Sequence, residues 1–317
     1  MIKKKGIFIL FGLTLCIQVQ FSQSISERYD QNWNDPEIQE RIEHGIEMYR
    51  KGWAVLEFVD GEGRPVDIDG DLEIRQVSHD FLFGANIFML NGFEEDWEND
   101  RYEGVFRNLL NYATVPFYWN AVEPEPGRLR FDIDSEFRYR RSPPDLVARF
   151  CEQNNVTMKG HPLFWGHHRM ATPRWFPSEE DEMIRLINRR FRQIADRYRD
   201  RILHWDVINE ANQRHPERPL PLDFPVLAFD LADRYFNPEN HFTYNFTTDI
   251  WMDDSEELSL AYLLTENLIL KGSRVDAIGL QIHFFNDELW ENTLAGEEMT
   301  PQQFYRVLDL YGRFGLP

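Results

Sequence analysis

The segment Trp205-Asp206-Val207-Ile208-Asn209-Glu210 is an apolar run that ends in an amide and a carboxylic acid. Such a run reads as a buried strand with Glu210 at its C-terminal end. A carboxyl placed there, among aromatic rings, is driven towards its protonated form and can hand a proton to a leaving oxygen. The neighbouring Asn209 can hydrogen-bond a hydroxyl of the same ligand. Taken alone, Asn-Glu also fits a helix N-cap; the strand before it favours the chemical reading. Similar polar residues recur on other apolar segments: His161 and Trp165, Asn245, Gln281 and His283, with Glu123 following another. The alternative for His161 and His283 is a core histidine with its hydrogen bonds satisfied.

Strands must carry these residues, and the pattern supplies them. Phe81–Met89, Tyr112–Trp119, Val156–Trp165, Ile202–Asn209, Phe242–Thr248 and Val275–Phe284 read as six apolar strands. Helices are expected over Pro144–Gln153, Glu180–Tyr198, Glu256–Leu270 and Pro301–Phe314, the last stopped by Gly315-Leu316-Pro317. Alternating strands and helices imply parallel βαβ units, and apolar strands imply a sheet covered on both faces. An open doubly wound sheet would use the strand ends at one switch point. Polar residues at the ends of many strands suit a closed barrel instead. No glycine-rich phosphate fingerprint follows the first strand. Residues 25–79 read as an N-terminal extension: a helix over 36–51, then two strands, 53–59 and 71–79, about the turn Asp60-Gly61-Glu62-Gly63.

Composition narrows the function. The net charge of −20 argues against nucleic acid and anionic membrane as partners. Lys3, Lys4 and Lys5, the apolar stretch Gly6–Val19, and Ser22 and Ser24 read as a secretory signal peptide over residues 1–24, with export to the periplasm or medium. Past it Cys151 stands alone, which excludes an internal disulfide and reads as a small buried apolar residue. Aromatic residues make up 15% of the chain, nine of them Trp. Flat rings suit sugar stacking, although a large aromatic core accounts for most of them. His167-His168 and the other histidines lack metal-ligand spacing, so no metal or cofactor is expected.

Several ordered motifs together resemble glycoside hydrolase family 10, whose best-known members are endo-β-1,4-xylanases. Trp205–Ala211 resembles the family's acid/base motif. Phe83-Gly84-Ala85-Asn86 resembles its first barrel strand, and Trp119 through Glu123-Pro124 to Gly127 its Trp-x-x-x-Glu-Pro-x-x-Gly segment. Gly160-His161-Pro162-Leu163-Phe164-Trp165 resembles its third strand, with Pro173 and Trp175 following. Ile278-Gly279-Leu280-Gln281-Ile282-His283 resembles its sixth. The resemblance implies a (β/α)₈ TIM barrel over residues 80–317, with about six of eight strands in this chain. It implies a retaining hydrolase of β-1,4-linked polysaccharide, xylan or a related hemicellulose. Glu210 would be the acid/base and Asn209 would bind the 2-hydroxyl at subsite −1. His161 and Trp165 would line that subsite, Gln281 would lie near the nucleophile, and His283 would orient it. Asn245 and Trp119 would complete the substrate-binding set, and Glu123 would fix its loop.

Two departures from the family pattern stand out. Where the family carries a Glu-Asn pair and a Lys before its second-strand Trp, this chain reads Thr114-Val115-Pro116-Phe117-Tyr118-Trp119. Subsite −2 must differ, which keeps mannan, β-glucan or a decorated glycan open. The family's His after the third-strand Trp is Gly166 here, with His167 or His168 as shifted substitutes. The family's nucleophile belongs to a seventh strand, and the chain reads as a fragment without it. Glu288 and Glu291, read as loop residues, are poor replacements. A catalytically inactive glycan-binding barrel is the competing reading.

Overall fold

The computed structural model describes residues 25–77, 79–212, 220–221 and 223–317. The signal-peptide reading concerns residues 1–24 and lies outside them. The N-terminal helices α1 (Glu27–Trp33) and α2 (Pro36–Tyr49) open on Ser26 and Asp35. Both caps accept hydrogen bonds from the free backbone N–H groups of the first turn. The described residues between 50 and 83 then run as largely exposed chain. Among the described residues the expected strands 53–59 and 71–79 do not form. Only the turn does, closed by Gly63 N donating to Asp60 O and a single bridge between Val59 and Pro65. The apolar residues Trp53, Val55 and Val77 are exposed, so strands there would have had no core face to serve.

The central sheet has six parallel strands: β1 (Gly84–Asn86), β2 (Tyr112–Pro116), β3 (Thr157–His161), β4 (His204–Asn209), β5 (His241–Phe246) and β6 (Ala277–Leu280). Their spatial order is the chain order. A doubly wound sheet reverses at its switch point; a barrel does not, so the order selects the barrel reading. Every strand is shorter than its apolar run. Trp119 ends one such run by starting the short helix α4 (Trp119–Val122), after α3 (Asp96–Leu109).

The covering helices are α5 (Pro144–Gln153), α6 (Glu180–Tyr198), α7 (Phe224–Tyr235), α8 (Leu260–Leu270), α9 (Asp287–Leu294) and α10 (Pro301–Gly312). The helix expected over Glu256–Leu270 is split, because Ser259 breaks a 3₁₀ turn from α8 and caps it through Tyr262 N. On α6, Met183, Leu186, Ile187, Arg190, Phe191 and Ile194 recur at helical spacing and are buried against the sheet. Cys151, on the inner face of α5, is buried as expected, and burial pushes its thiol up to about 12. Trp205, Tyr198, Phe117, Phe164, Phe229 and Tyr244 are the large rings of the core. Gly160 is required there, since any Cβ at that position would overlap the Trp205 ring. Among the described residues no helix is long and apolar enough to cross a membrane.

Candidate active site

The C-terminal ends of the strands open into a cleft of about 1690 Å³, lined by Asn209, Glu210, His161, Trp165, Asn245, Gln281 and His283 among others. The structure therefore gathers seven of the eight residues singled out in the sequence. β4 carries a register shift between Asp206 and Ile208. Such a bulge re-aims the side chains after it. Glu210 follows directly with φ +56°, unusual for a residue with a Cβ, and its N–H donates to Asn245 O at 2.7 Å. Strained backbone held in this way is common where a side chain must be presented to a ligand.

Burial raises the pKa of the Glu210 carboxyl, and the charge of Asp249 adds to the rise. Polar groups of Gln281, Asn209 and Trp165 oppose it. Asn209 Oδ1 accepts from Asn245 Nδ2 at 2.6 Å and from Gln281 Nε2 at 3.0 Å. Both lone pairs are taken, so the amide meets Glu210 and the cleft as a donor. Residues of β4 and β5 and the residue that follows β6 thus meet on one oxygen atom. Gly279 of β6 makes room for this, because a Cβ there would overlap the Asn245 amide.

His161 is held from below. Asp206, buried within β4, accepts from His161 Nδ1 at 2.7 Å and from Lys159 Nζ at 3.1 Å. Burial alone would raise the Asp206 pKa, but Lys159 and His161 outweigh it and the net direction is down. Asp206 is charged and committed to these two partners. Asp206 and Lys159 were not singled out in the sequence, although Asp206 sits inside the motif that was. His283 follows β6, with its N–H donating to Thr248 Oγ1 and its ring stacked on Phe285. Burial lowers its pKa, and the charge of His161 adds to that.

Trp119 is the exception. It does not line the cleft; it is buried against Phe164, Trp175 and Phe176, and its Nε1 donates to Glu123 Oε2 at 2.8 Å. The turn into α4 at Tyr118 swings Trp119 inwards and leaves Tyr118 to line the cleft. Glu123 fixes its loop: its other oxygen accepts from Gly127 N and from Arg189 Nη2. Of the two adjacent histidines, His168 lines the cleft while His167 lays its ring against Trp165. Among the described residues no group of three His, Cys, Asp or Glu is placed to hold a metal ion. Glu288 and Glu291 lie on helix α9 rather than in a loop, and neither lines the cleft.

Residues 96–308 match the model of glycosyl hydrolase family 10. The chain belongs to this family. Among its relatives, the β-1,4-xylanase of Dictyoglomus thermophilum is 24% identical over 242 residues, which is 72% of this chain and 61% of that protein. Endo-1,4-β-xylanase A of Xylanibacter ruminicola is 32% identical over 168 residues, 47% of this chain and 44% of the relative. The chain thus spans about three fifths or less of the length of such relatives. Family 10 folds superpose on it. The xylanase 10B of Thermotoga petrophila, in complex with xylobiose, aligns with a TM-score of 0.55 at 22% identity, over 74% of this chain and 66% of that one. The family 10 xylanase of Thermobacillus composti aligns at 0.54 and 23% identity, over 75% and 65%. The six strands are therefore six successive strands of a (β/α)₈ barrel.

Proposed function

We propose that this family 10 chain is the acid/base side of a secreted retaining glycoside hydrolase acting on β-1,4-linked xylan or a related hemicellulose. One observation carries the reading: a desolvated Glu210 presented at the end of β4, in a cleft faced by Asn209, His161, Trp165, Gln281 and His283. In its protonated form Glu210 donates to the glycosidic oxygen while a carboxylate attacks the anomeric carbon. Glu210 then takes a proton from the water that releases the sugar. Asn209, as a donor, binds the 2-hydroxyl at subsite −1, and Asn245 and Gln281 hold its amide in place. His161, oriented by Asp206, and Trp165 wall the same subsite. His283 is positioned to orient the attacking carboxylate. The names of the relatives support xylan as the polymer, and the basic and apolar stretches of residues 2–19 support secretion.

A second reading has an observation of its own. The carboxylates lining the cleft among the described residues are Glu125, Asp206 and Glu210. Asp206 is held by Lys159 and His161, and Glu125 by Arg128. Asp206 is thus not free to attack, and Glu125 is an exposed partner of Arg128; with neither as nucleophile this set would hold glycan without cleaving it. Release of reducing ends from β-1,4-xylan, compared with equilibrium binding of the same polymer, separates the two. In a hydrolytic protein Glu210→Gln is expected to lower turnover of unactivated xylan about 10²- to 10⁴-fold, the usual worth of a general acid/base. Full activity in that variant would overturn the assignment.

A further inference from the structure

The cleft carries the opposite sign to the molecule. The chain has a net charge of −20, yet six Lys and Arg line the cleft against three carboxylates. Two of those carboxylates are already paired with cations, as described above. The excess comes largely from the turn Arg138-Tyr139-Arg140-Arg141, on the side of the cleft next to Tyr118. Among the described residues Arg138, Arg140 and Arg141 make no ion pair with a carboxylate. Cations in a strongly acidic protein find carboxylate partners easily on its surface; here three are kept on one wall with none among the described residues.

The turn is rigidly built. The buried Arg130 guanidinium donates to Glu136 O through Nε at 3.0 Å, to Ala121 O at 2.8 Å and to Arg141 O at 3.4 Å, so it clamps both ends of the turn. Arg141 N donates back to Arg138 O at 2.9 Å, and Ser142 Oγ donates to Leu90 O at 2.8 Å. Arg140 adopts φ +56° within this frame. The Arg141 guanidinium lies over the Tyr118 ring, 3.7 Å from its centroid. Tyr118 in turn meets His161 and Trp165 edge-on, at 5.5 and 6.0 Å between ring centroids. The cationic turn is therefore one aromatic ring removed from the residues around Glu210. A pre-oriented guanidinium fork matches a planar carboxylate with two parallel hydrogen bonds.

We propose that the wall formed by Tyr118 and Arg138–Arg141 recognises a uronic-acid carboxylate carried as a branch on the β-1,4-linked backbone. The sugar ring stacks in the aromatic corner and its carboxylate meets the arginines. The inference rests on the glycanase reading and specifies its substrate class as an acidic, decorated glycan. Attraction focused in the cleft also lets an anionic polymer approach a molecule whose net charge would repel it.

The test compares two polymers by isothermal titration calorimetry with the full chain. One is glucuronic-acid-substituted β-1,4-xylan; the other is the same xylan with its carboxyls reduced to neutral alcohols. The acidic polymer is expected to bind about tenfold more tightly, the ratio that 1.4 kcal/mol of differential binding gives. The preference should collapse in about 0.5 M NaCl. It should also be lost in Arg138→Gln/Arg140→Gln, which leaves the Arg141–Tyr118 contact in place, and partly restored in the corresponding Lys pair. Equal affinity for both polymers, with binding intact, overturns this inference and leaves the glycanase reading standing. A preference that survives in the Gln pair also overturns it. Binding of neither polymer overturns the glycanase reading itself.

Discussion

At the residue scale the site turns on two carboxylates of opposite character, four residues apart on either side of the β4 bulge. Glu210 is pushed up by burial; Asp206 is pulled down by Lys159 and His161 despite deeper burial. Environments that separate two pKa values in this way divide their roles, one a proton donor and one a fixed charge. The pH consequences have opposite signs. A folded pKa above the unfolded value, as for Glu210, contributes stability below the ordinary glutamate range, which is lost as pH rises through the folded value. Glu210→Gln is thus expected to raise Tm at neutral pH, with the gain shrinking as pH falls below that range; thermal unfolding across pH checks it. Asp206, with a depressed pKa, contributes stability above the ordinary aspartate range that is lost on acidification. Asp206→Asn leaves Lys159 without its counter-charge and should cost about 3 kcal/mol, the low end for a broken buried pair because Lys159 is partly exposed. Urea unfolding at neutral pH reads that loss, and catalysis should fall with it as His161 loses its orientation.

At the element scale the cleft exists because successive strand ends are tied to one another. Arg190 of α6 is fully buried and donates to Leu163 O at 2.7 Å, to Pro162 O at 3.2 Å and to Phe117 O. It joins the segments that follow β2 and β3, which carry Tyr118 and Trp165. Arg190→Met would strand those carbonyls without donors, at about 1–3 kcal/mol for each one left unsatisfied. A drop in the denaturation midpoint with unchanged slope would show it. Gly279→Ala tests the β5–β6 tie differently. Its Cβ would displace the Asn245 amide and so release Asn209 Oδ1. Overpacking of this kind costs about 1–3 kcal/mol, and substrate affinity should fall even where the fold survives.

At the scale of the whole molecule, charge is the dominant feature. A net charge of −20 favours solubility but repels itself in the compact state. Added NaCl, up to about 0.15 M, is therefore expected to raise Tm through screening. The same salt should weaken binding of an acidic glycan at the arginine wall, so the two dependences run in opposite directions. An unchanged Tm from low to physiological salt would show that local pairs such as Arg274–Asp276 and Arg201–Glu152 already balance the surface.

The sequence by itself determined the succession of strands along the chain, the bounds of α5 and α6 and the burial of Cys151, and seven of the eight site residues named from it line the cleft. Those properties are local or motif-borne: apolar runs mark buried strands, helical spacing marks covered faces, and a polar residue closing an apolar run marks a strand end. Only the tertiary structure decided the rest. The turn Asp60-Gly61-Glu62-Gly63 suggested a hairpin of strands 53–59 and 71–79, but pairing needs a packed face and the described residues there have none. Trp119 was expected in the substrate-binding set, and the chain's turn into α4 buried it while leaving Tyr118 to line the cleft. Glu288 and Glu291 fell in a polar stretch whose helix shows only in its Asn286 cap and backbone bonds. The Lys159–Asp206–His161 cluster and the arginine wall join residues far apart in the chain. No spacing rule connects them, because their meeting depends on strand register and on loops folded over the same cleft.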